Sequence, residues 1–287
     1  MSRSRAVTGK VIAITGGARG IGRAIAERLT TAGARVAIGD RDLEAAQETA
    51  AELGVRAYSL DVADRDSFDD FLGAVRSELG PVDVLINNAG IMWVGSFEEE
   101  PDSAARAQLE VNLLGVINGV KAAAPAMRGA GRGHLIAVAS AASILPVPGE
   151  ATYAATKAGV LGYFRAVRAE LRGKGVDTSV IMPAVVDTVL AAGTGTGSVR
   201  LLRPDDVAAT VVDAVARLRF EITVPGFIGS ATRWVSLLPQ RFKDRAFAAM
   251  VPDQVEQVRE DARVGYETAA FMTSRAGRKE GRVASAE

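Results

Sequence analysis

The chain has 287 residues, 48% of them hydrophobic and few aromatic, with 34 Lys and Arg against 34 Asp and Glu. This length supports one large α/β domain with its own core, and a zero net charge leaves no global field to recruit nucleic acid. The lack of any cysteine excludes disulfides, zinc-thiolate sites and cysteine nucleophiles, and is compatible with a reducing, cytoplasmic location.

The opening MSRSRAVTGK is positively charged but runs into the first strand with no apolar core region or small-residue cleavage site, so a signal peptide is not expected. No run of about 18 apolar residues suggests a membrane span. Val11 to Thr15 reads as a buried strand. It is followed by the glycine turn Gly16-Gly-Ala-Arg19-Gly20-Ile21-Gly22 and a helical run to Ala32. Strand, glycine turn and helix form the context of a phosphate-binding loop, because glycines permit positive φ and the N–H groups at the helix start point at an anion. The next apolar run, 34–40, ends on Asp40, eighteen residues after Gly22. A carboxylate there accepts hydrogen bonds from adenosine ribose hydroxyls and repels a 2′-phosphate, which favours NAD over NADP. Arg19 and Arg41 argue the other way, since either can help bind a phosphate, and Asp40 can alternatively cap the following helix.

Further strand-like runs span 56–62, ending on Asp61 and Val62, then 82–90, ending on Asn87-Asn88-Ala89-Gly90, then 133–140, ending on Ser140, and 177–186. Helical stretches fill the gaps at 42–53, 65–79, 102–128 and 152–172, in the βαβ rhythm of a parallel sheet. The stretch Ala192 to Ser198, rich in Gly and Thr, is the best candidate for a mobile loop.

Chemistry concentrates in SAASILPVPGEATYAATK, residues 140–157. Tyr153 and Lys157 stand four apart on one helix face. An ammonium beside a phenol favours phenolate and lowers a pKa that is ordinarily about 10. Ser140, delivered by the preceding strand, can hydrogen-bond an oxygen whose charge changes during reaction. The three form an acid/base set for alcohol or carbonyl chemistry.

Thr15-Gly16-x-x-x-Gly20-x-Gly22, Asn87-Asn88-Ala89-Gly90, Asn112, Ser140, Tyr153 and Lys157, in this order and spacing, resemble the short-chain dehydrogenase/reductase family over about residues 8 to 225. The resemblance implies a single doubly wound, Rossmann-like domain with about seven parallel strands and a nicotinamide cofactor. It implies Tyr153 as acid/base, Lys157 as ribose ligand that lowers the tyrosine pKa, Ser140 as substrate-positioning group and Asn112 as support for a proton relay through water. Asp61 with Val62 resembles the family's adenine contact, although Asp61 can also serve as a helix cap. Asn88, Ala89 and Gly90 would approach the cofactor. Val186 and Thr188 resemble the contacts to the nicotinamide amide, but the usual Pro-Gly before them is Pro183-Ala184 here. A homodimer or homotetramer is also implied.

Residues 1–225 are thus read as the cofactor-binding and catalytic domain, 226–272 as a C-terminal helical extension of it, and 273–287 as a solvated tail. Ile91, Met92, Trp93, Leu145, Val147 and Leu190 suggest an apolar pocket for a hydrophobic alcohol or ketone. In the extension, Phe227, Trp234, Leu237 and Leu238 alternate with Arg233, Arg241, Lys243 and Arg245. This pattern, which includes Ile228, can lie on a membrane surface, cover the active-site mouth or pack on the domain or a subunit, and packing is favoured over membrane contact. His134 is the only histidine, so no multi-histidine metal site can form and no metal is expected. The alternative to a dehydrogenase is a nicotinamide-nucleotide sensor or scaffold without turnover, which would need the glycine turn but not the tyrosine.

Overall fold

A computed structural model of the chain describes residues 6–197 and 199–272. Its strands are β1 (Val11–Thr15), β2 (Arg35–Asp40), β3 (Arg56–Ser59), β4 (Val84–Asn87), β5 (Gly133–Val138), β6 (Val176–Pro183) and β7 (Glu221–Val224). They form one seven-stranded sheet in the order β3-β2-β1-β4-β5-β6-β7, every pairing parallel. The direction of winding reverses between β1 and β4, and at such a switch point a crevice opens at the carboxyl ends of the strands.

Helices cover both faces: α1 (Gly20–Thr31), α2 (Leu43–Leu53) and α7 (Pro204–Arg217) on one, α3 (Arg65–Leu79), α5 (Gly115–Gly129) and α6 (Ala151–Glu170) on the other. Strand alternation divides the core accordingly. In β1, Ile12 and Ile14 pack with Ile25 and Leu29 of α1 and Val207 and Val211 of α7. Val11 and Ala13 face Phe68 and Val75 of α3 and Phe164 of α6. Asp42 and Asp64 cap α2 and α3 by accepting the N–H groups of Ala45 and Asp66, and α2 ends at Gly54 in the left-handed region.

The predicted helix over 65–79 matches α3, and the other predicted runs match to within a few residues at their ends. Two differences have clear causes. The run 102–128 is interrupted: α4 (Asp102–Gln108) gives way to a π-helical turn at Leu109–Leu114 before α5 begins. The seventh strand, β7, has only four residues, too few to show a period, and no run marks it in the sequence.

Beyond β7 come α8 (Phe227–Ser236), α9 (Gln240–Met250), α10 (Gln254–Gln257) and α11 (Val264–Glu267). Phe227, Trp234, Leu237, Leu238 and Phe242 remain exposed on α8, on α9 and between them. The predicted tail, 273–287, lies outside the described residues. Among the described residues no helix is long and apolar enough to cross a membrane.

Candidate active site

The turn after β1 bends on Gly16 and Gly20, both in the left-handed region with φ of 66° and 55°. Thr15 and Asn88 brace it. The Thr15 hydroxyl accepts the N–H groups of Asn88 and Ala89 at 3.0 Å, and the Asn88 amide donates to the carbonyls of Thr15 and Gly16 at 3.0 Å. Gly22 does not line the cavity. A Cβ there would lie 2.0 Å from the Gly16 carbonyl oxygen, so its absence lets α1 pack against the turn. The first turn of α1 holds no acidic residue, and Arg19 makes no side-chain cap, so its N–H groups remain available to an anion.

A cavity of about 990 Å³ runs from this turn across the sheet ends. Gly16, Arg19, Gly20, Ile21, Asp40, Arg41, Asp61, Val62, Asn88, Ala89 and Gly90 line one part of it. Ser140, Tyr153, Lys157, Val186 and Thr188 line another. Asp40 does not cap α2, a role Asp42 fills. Instead its carboxylate bridges two backbone groups, accepting from Ala18 at 3.0 Å and Asp42 at 3.1 Å. Arg19 pairs with Asp42 at 2.5 Å, and Arg41 donates to the Ala269 carbonyl at 3.3 Å. Asp61 accepts the Ala63 N–H, while Asp64 caps α3. Ala184, in the place of the usual glycine, keeps an ordinary φ and donates its N–H to Val224, so the Pro-Ala departure costs the loop no strain. Thr188 still faces the turn, its methyl group 3.4 Å from where a Gly20 Cβ would lie.

The acid/base set assembles where β5 ends. Ser140 caps the 3₁₀ turn Ala141–Ser143, accepting the Ala142 N–H at 3.1 Å. Ser140 lines the cavity with Tyr153 and acts on the phenol in favour of phenolate. Lys157 is buried, donates to the Val138 carbonyl at 3.2 Å and lies 5.5 Å from the Tyr153 ring centre. Burial pulls the lysine down to about 8. The expected lowering of the tyrosine pKa is not met. Burial, the Glu150 charge and Tyr266 raise it above its ordinary 10, and the lowering effect of Ser140 offsets only part of that.

Asn112 sits in the π-helical turn, fully buried and outside the cavity wall. Its amide exchanges two 2.8 Å bonds with the Ile91 backbone and donates to Thr156 at 3.2 Å. Gly90 makes room for this arrangement. A Cβ there would come within 3.3 Å of both Asn112 Oδ1 and Lys157 Nζ. His134 is buried against Ser179 at 2.9 Å, a structural role.

Five of the six predicted pocket residues line the cavity, Trp93 being the exception because its ring folds over Gly95. Sequence reading offered the extension as a cover for the active-site mouth and named Ile228, which lines the cavity, but not the other residues that close it. Met250, Pro252, Tyr266 and Ala270 of the extension close this end. The loop predicted to be mobile is tied to that cover: Gln254 exchanges bonds of 2.7 and 2.8 Å with Gly195, and Arg263 donates to the carbonyls of Leu190 and Ala192. Glu150, one helical turn before Tyr153, also lines the cavity and was missed. Its i, i+3 spacing to the tyrosine was the available signal.

A family model described as short chain dehydrogenase matches residues 10–197. The chain belongs to the short chain dehydrogenase family. Like the family, it is an NAD(P)-dependent oxidoreductase acting on CH–OH groups. A 17-beta-hydroxysteroid dehydrogenase 13 from Rattus norvegicus is 30% identical over 275 residues, covering 93% of this chain and 89% of that protein. Among solved structures of short chain dehydrogenases, one from Burkholderia phymatum in complex with NAD superposes with a TM-score of 0.74 at 28% identity, over 80% of this chain and 93% of that one. A 3-ketoacyl-(acyl-carrier-protein) reductase from Brucella melitensis, complexed with NADH, gives 0.71 at 28% identity, over 76% and 97%. The residues present fit a nicotinamide dinucleotide: Gly16 and Gly20 put no side chain into the cavity, the N–H groups of α1 are open to an anion, and Gly90 leaves space beside Lys157.

Proposed function

We propose that the protein transfers hydride between NAD and a hydrophobic secondary alcohol or ketone, with Tyr153 as acid/base. The observation that carries this reading is the convergence of Ser140, Tyr153 and Lys157 on one cavity, with the lysine ammonium 5.5 Å from the Tyr153 ring centre.

A nicotinamide held here would supply the hydride acceptor for the carbinol carbon in oxidation and the hydride donor in reduction. Tyr153 takes the substrate hydroxyl proton in the first direction and gives it back in the second. Ser140 holds the same substrate oxygen. Lys157 keeps one N–H on the Val138 carbonyl, which orients the ammonium and leaves two others for the cofactor ribose and the phenolate. Its charge, with that of oxidised nicotinamide, opposes the effect of burial on the phenol. The Asn112 side chain is fully engaged, so its part in a relay is to hold the Ile91 backbone beside the reacting groups.

NAD is favoured over NADP because Asp40 and Asp42 place two carboxylates beside the second strand, and both nearby cations already have partners. A hydrophobic substrate is supported by Met92, Leu145, Val147 and Leu190 in the cavity wall and by similarity to a hydroxysteroid dehydrogenase. A homodimer or homotetramer, implied by the family resemblance, is part of the proposal and is tested by light scattering. Purified protein mixed with NAD or NADP and secondary alcohols from short aliphatic to steroid-sized tests the reaction through the absorbance of reduced nicotinamide. No reduction across that panel would overturn it.

A further inference from the structure

Glu150 is 7% exposed, lines the cavity and lies three residues before Tyr153, just ahead of the helix that carries the tyrosine. It stands at the N-cap of α6, yet its side chain caps nothing. The nearest strong donor, Arg263, is committed elsewhere. It donates to Glu267 at 2.9 Å, to Met92 at 2.7 Å, and to Leu190 and Ala192 at 3.2 and 3.1 Å. It therefore acts on Glu150 only through its charge. A buried carboxyl without a hydrogen bond is costly, and burial raises it to about 7. Nothing in the folding of α6 requires it: the helix begins on the Ala154 N–H to Glu150 carbonyl bond, which any residue can make.

We propose that Glu150 forms a polar subsite beside the reacting carbinol, accepting a hydrogen bond from a second hydroxyl that the substrate carries a few carbons away. The inference rests on Tyr153 acting at the carbinol. Glu150 and Tyr153 line the same cavity, and the Glu150 charge acts on the phenol, so one small molecule can touch both side chains. The rest of this end of the cavity, with Met92, Leu145, Val147 and Leu190, takes the apolar body. The preferred substrate class is then a hydrophobic diol or hydroxyketone, not a simple alcohol.

Three ring alcohols of one skeleton test this: cyclohexanol, a vicinal cyclohexanediol and its mono-methyl ether, which keeps the second oxygen but lacks its donor. The assay runs with NAD above the Glu150 value of about 7, where the carboxyl is an acceptor. The diol is expected to exceed both others in kcat/KM by about tenfold, carried by KM. Glu150→Leu should bring the ratio near one, and Glu150→Gln, which keeps an amide oxygen, should leave part of it. Ratios are the readout, because removing a charge beside Tyr153 changes the rate on every alcohol. Where none of the three is oxidised, their dissociation constants from the NADH complex, read by nicotinamide fluorescence, supply the same ratio. Equal values, absence of diol binding, or a diol preference that survives Glu150→Leu overturns the subsite. Tyr153→Phe separates the two readings: persistent turnover in it overturns the acid/base role alone, whereas the diol preference in binding is expected to persist without turnover.

Discussion

The guanidinium of Arg263 donates to the main-chain oxygen of Met92 at 2.7 Å, joining the C-terminal extension to the loop that leaves β4. Tyr266 completes the clasp by accepting the Met92 N–H at 2.9 Å, and the Arg263 guanidinium lies 5.3 Å from the Tyr266 ring centre. The extension is thereby part of the substrate cavity.

Arg263→Ala takes the donor from the buried carbonyl of Met92 and from the partly buried carbonyls of Leu190 and Ala192. Such losses cost about 3 kcal/mol together when the donor is charged and the site partly relaxes. Urea unfolding is expected to show a loss of that order. Steady-state kinetics should show KM rising more for the alcohol than for NAD, and an equal rise in both would place the clasp outside the substrate end.

Gly90→Ala pushes a methyl group against Asn112 Oδ1 and Lys157 Nζ, each 3.3 Å from the new atom. A displaced ammonium misplaces the ribose and phenol together, and turnover is expected to fall roughly tenfold or more. NAD titration with intact turnover would contradict this.

Much of this site was legible because its chemistry sits at fixed spacings on elements with strong periods. Ser140 ends a strand, while Tyr153 and Lys157 share a helix face, and the glycine turn follows a buried strand. That the extension could cover the mouth was legible, but most of the residues that do so were not. Arg263, Tyr266 and Gln254 lie in a charged, short-helix segment that reads as surface, and only tertiary contact buries the arginine to 2% exposure. The π-helical turn at Asn112 was hidden for a different reason, since its composition continues the helix. The upward shift of Tyr153 depends on burial, which spacing alone does not report.

Cofactor choice is expected to follow Asp40. The wild type should prefer NAD to NADP by at least about tenfold in kcat/KM, the ratio one like-charge contact provides. Asp40→Ser should narrow that preference. An unchanged ratio would move the discrimination to Asp42.

Stability against pH tests the burial of two titrating groups. Glu150 is raised from 4.5 to about 7, so between those values the folded protein holds a proton that the unfolded chain has lost. Its contribution is full below 4.5 and is lost as pH rises through 7. Relative to wild type, Glu150→Gln should gain up to roughly 3 kcal/mol across that window. Lys157, lowered from 10.5 to about 8, acts oppositely: the unfolded chain holds the extra proton, and stability rises with pH between those values. Chemical denaturation at stepped pH reads both slopes, and flat profiles would contradict the burial.

The most direct measurement compares wild type with Tyr153→Phe for reduction of NAD by a secondary alcohol, alongside NADH binding by fluorescence. Loss of the phenol oxygen is expected to lower turnover by about a hundredfold or more, the usual scale for a positioned acid/base group, while NADH affinity stays within about twofold. Turnover equal to wild type would contradict the account.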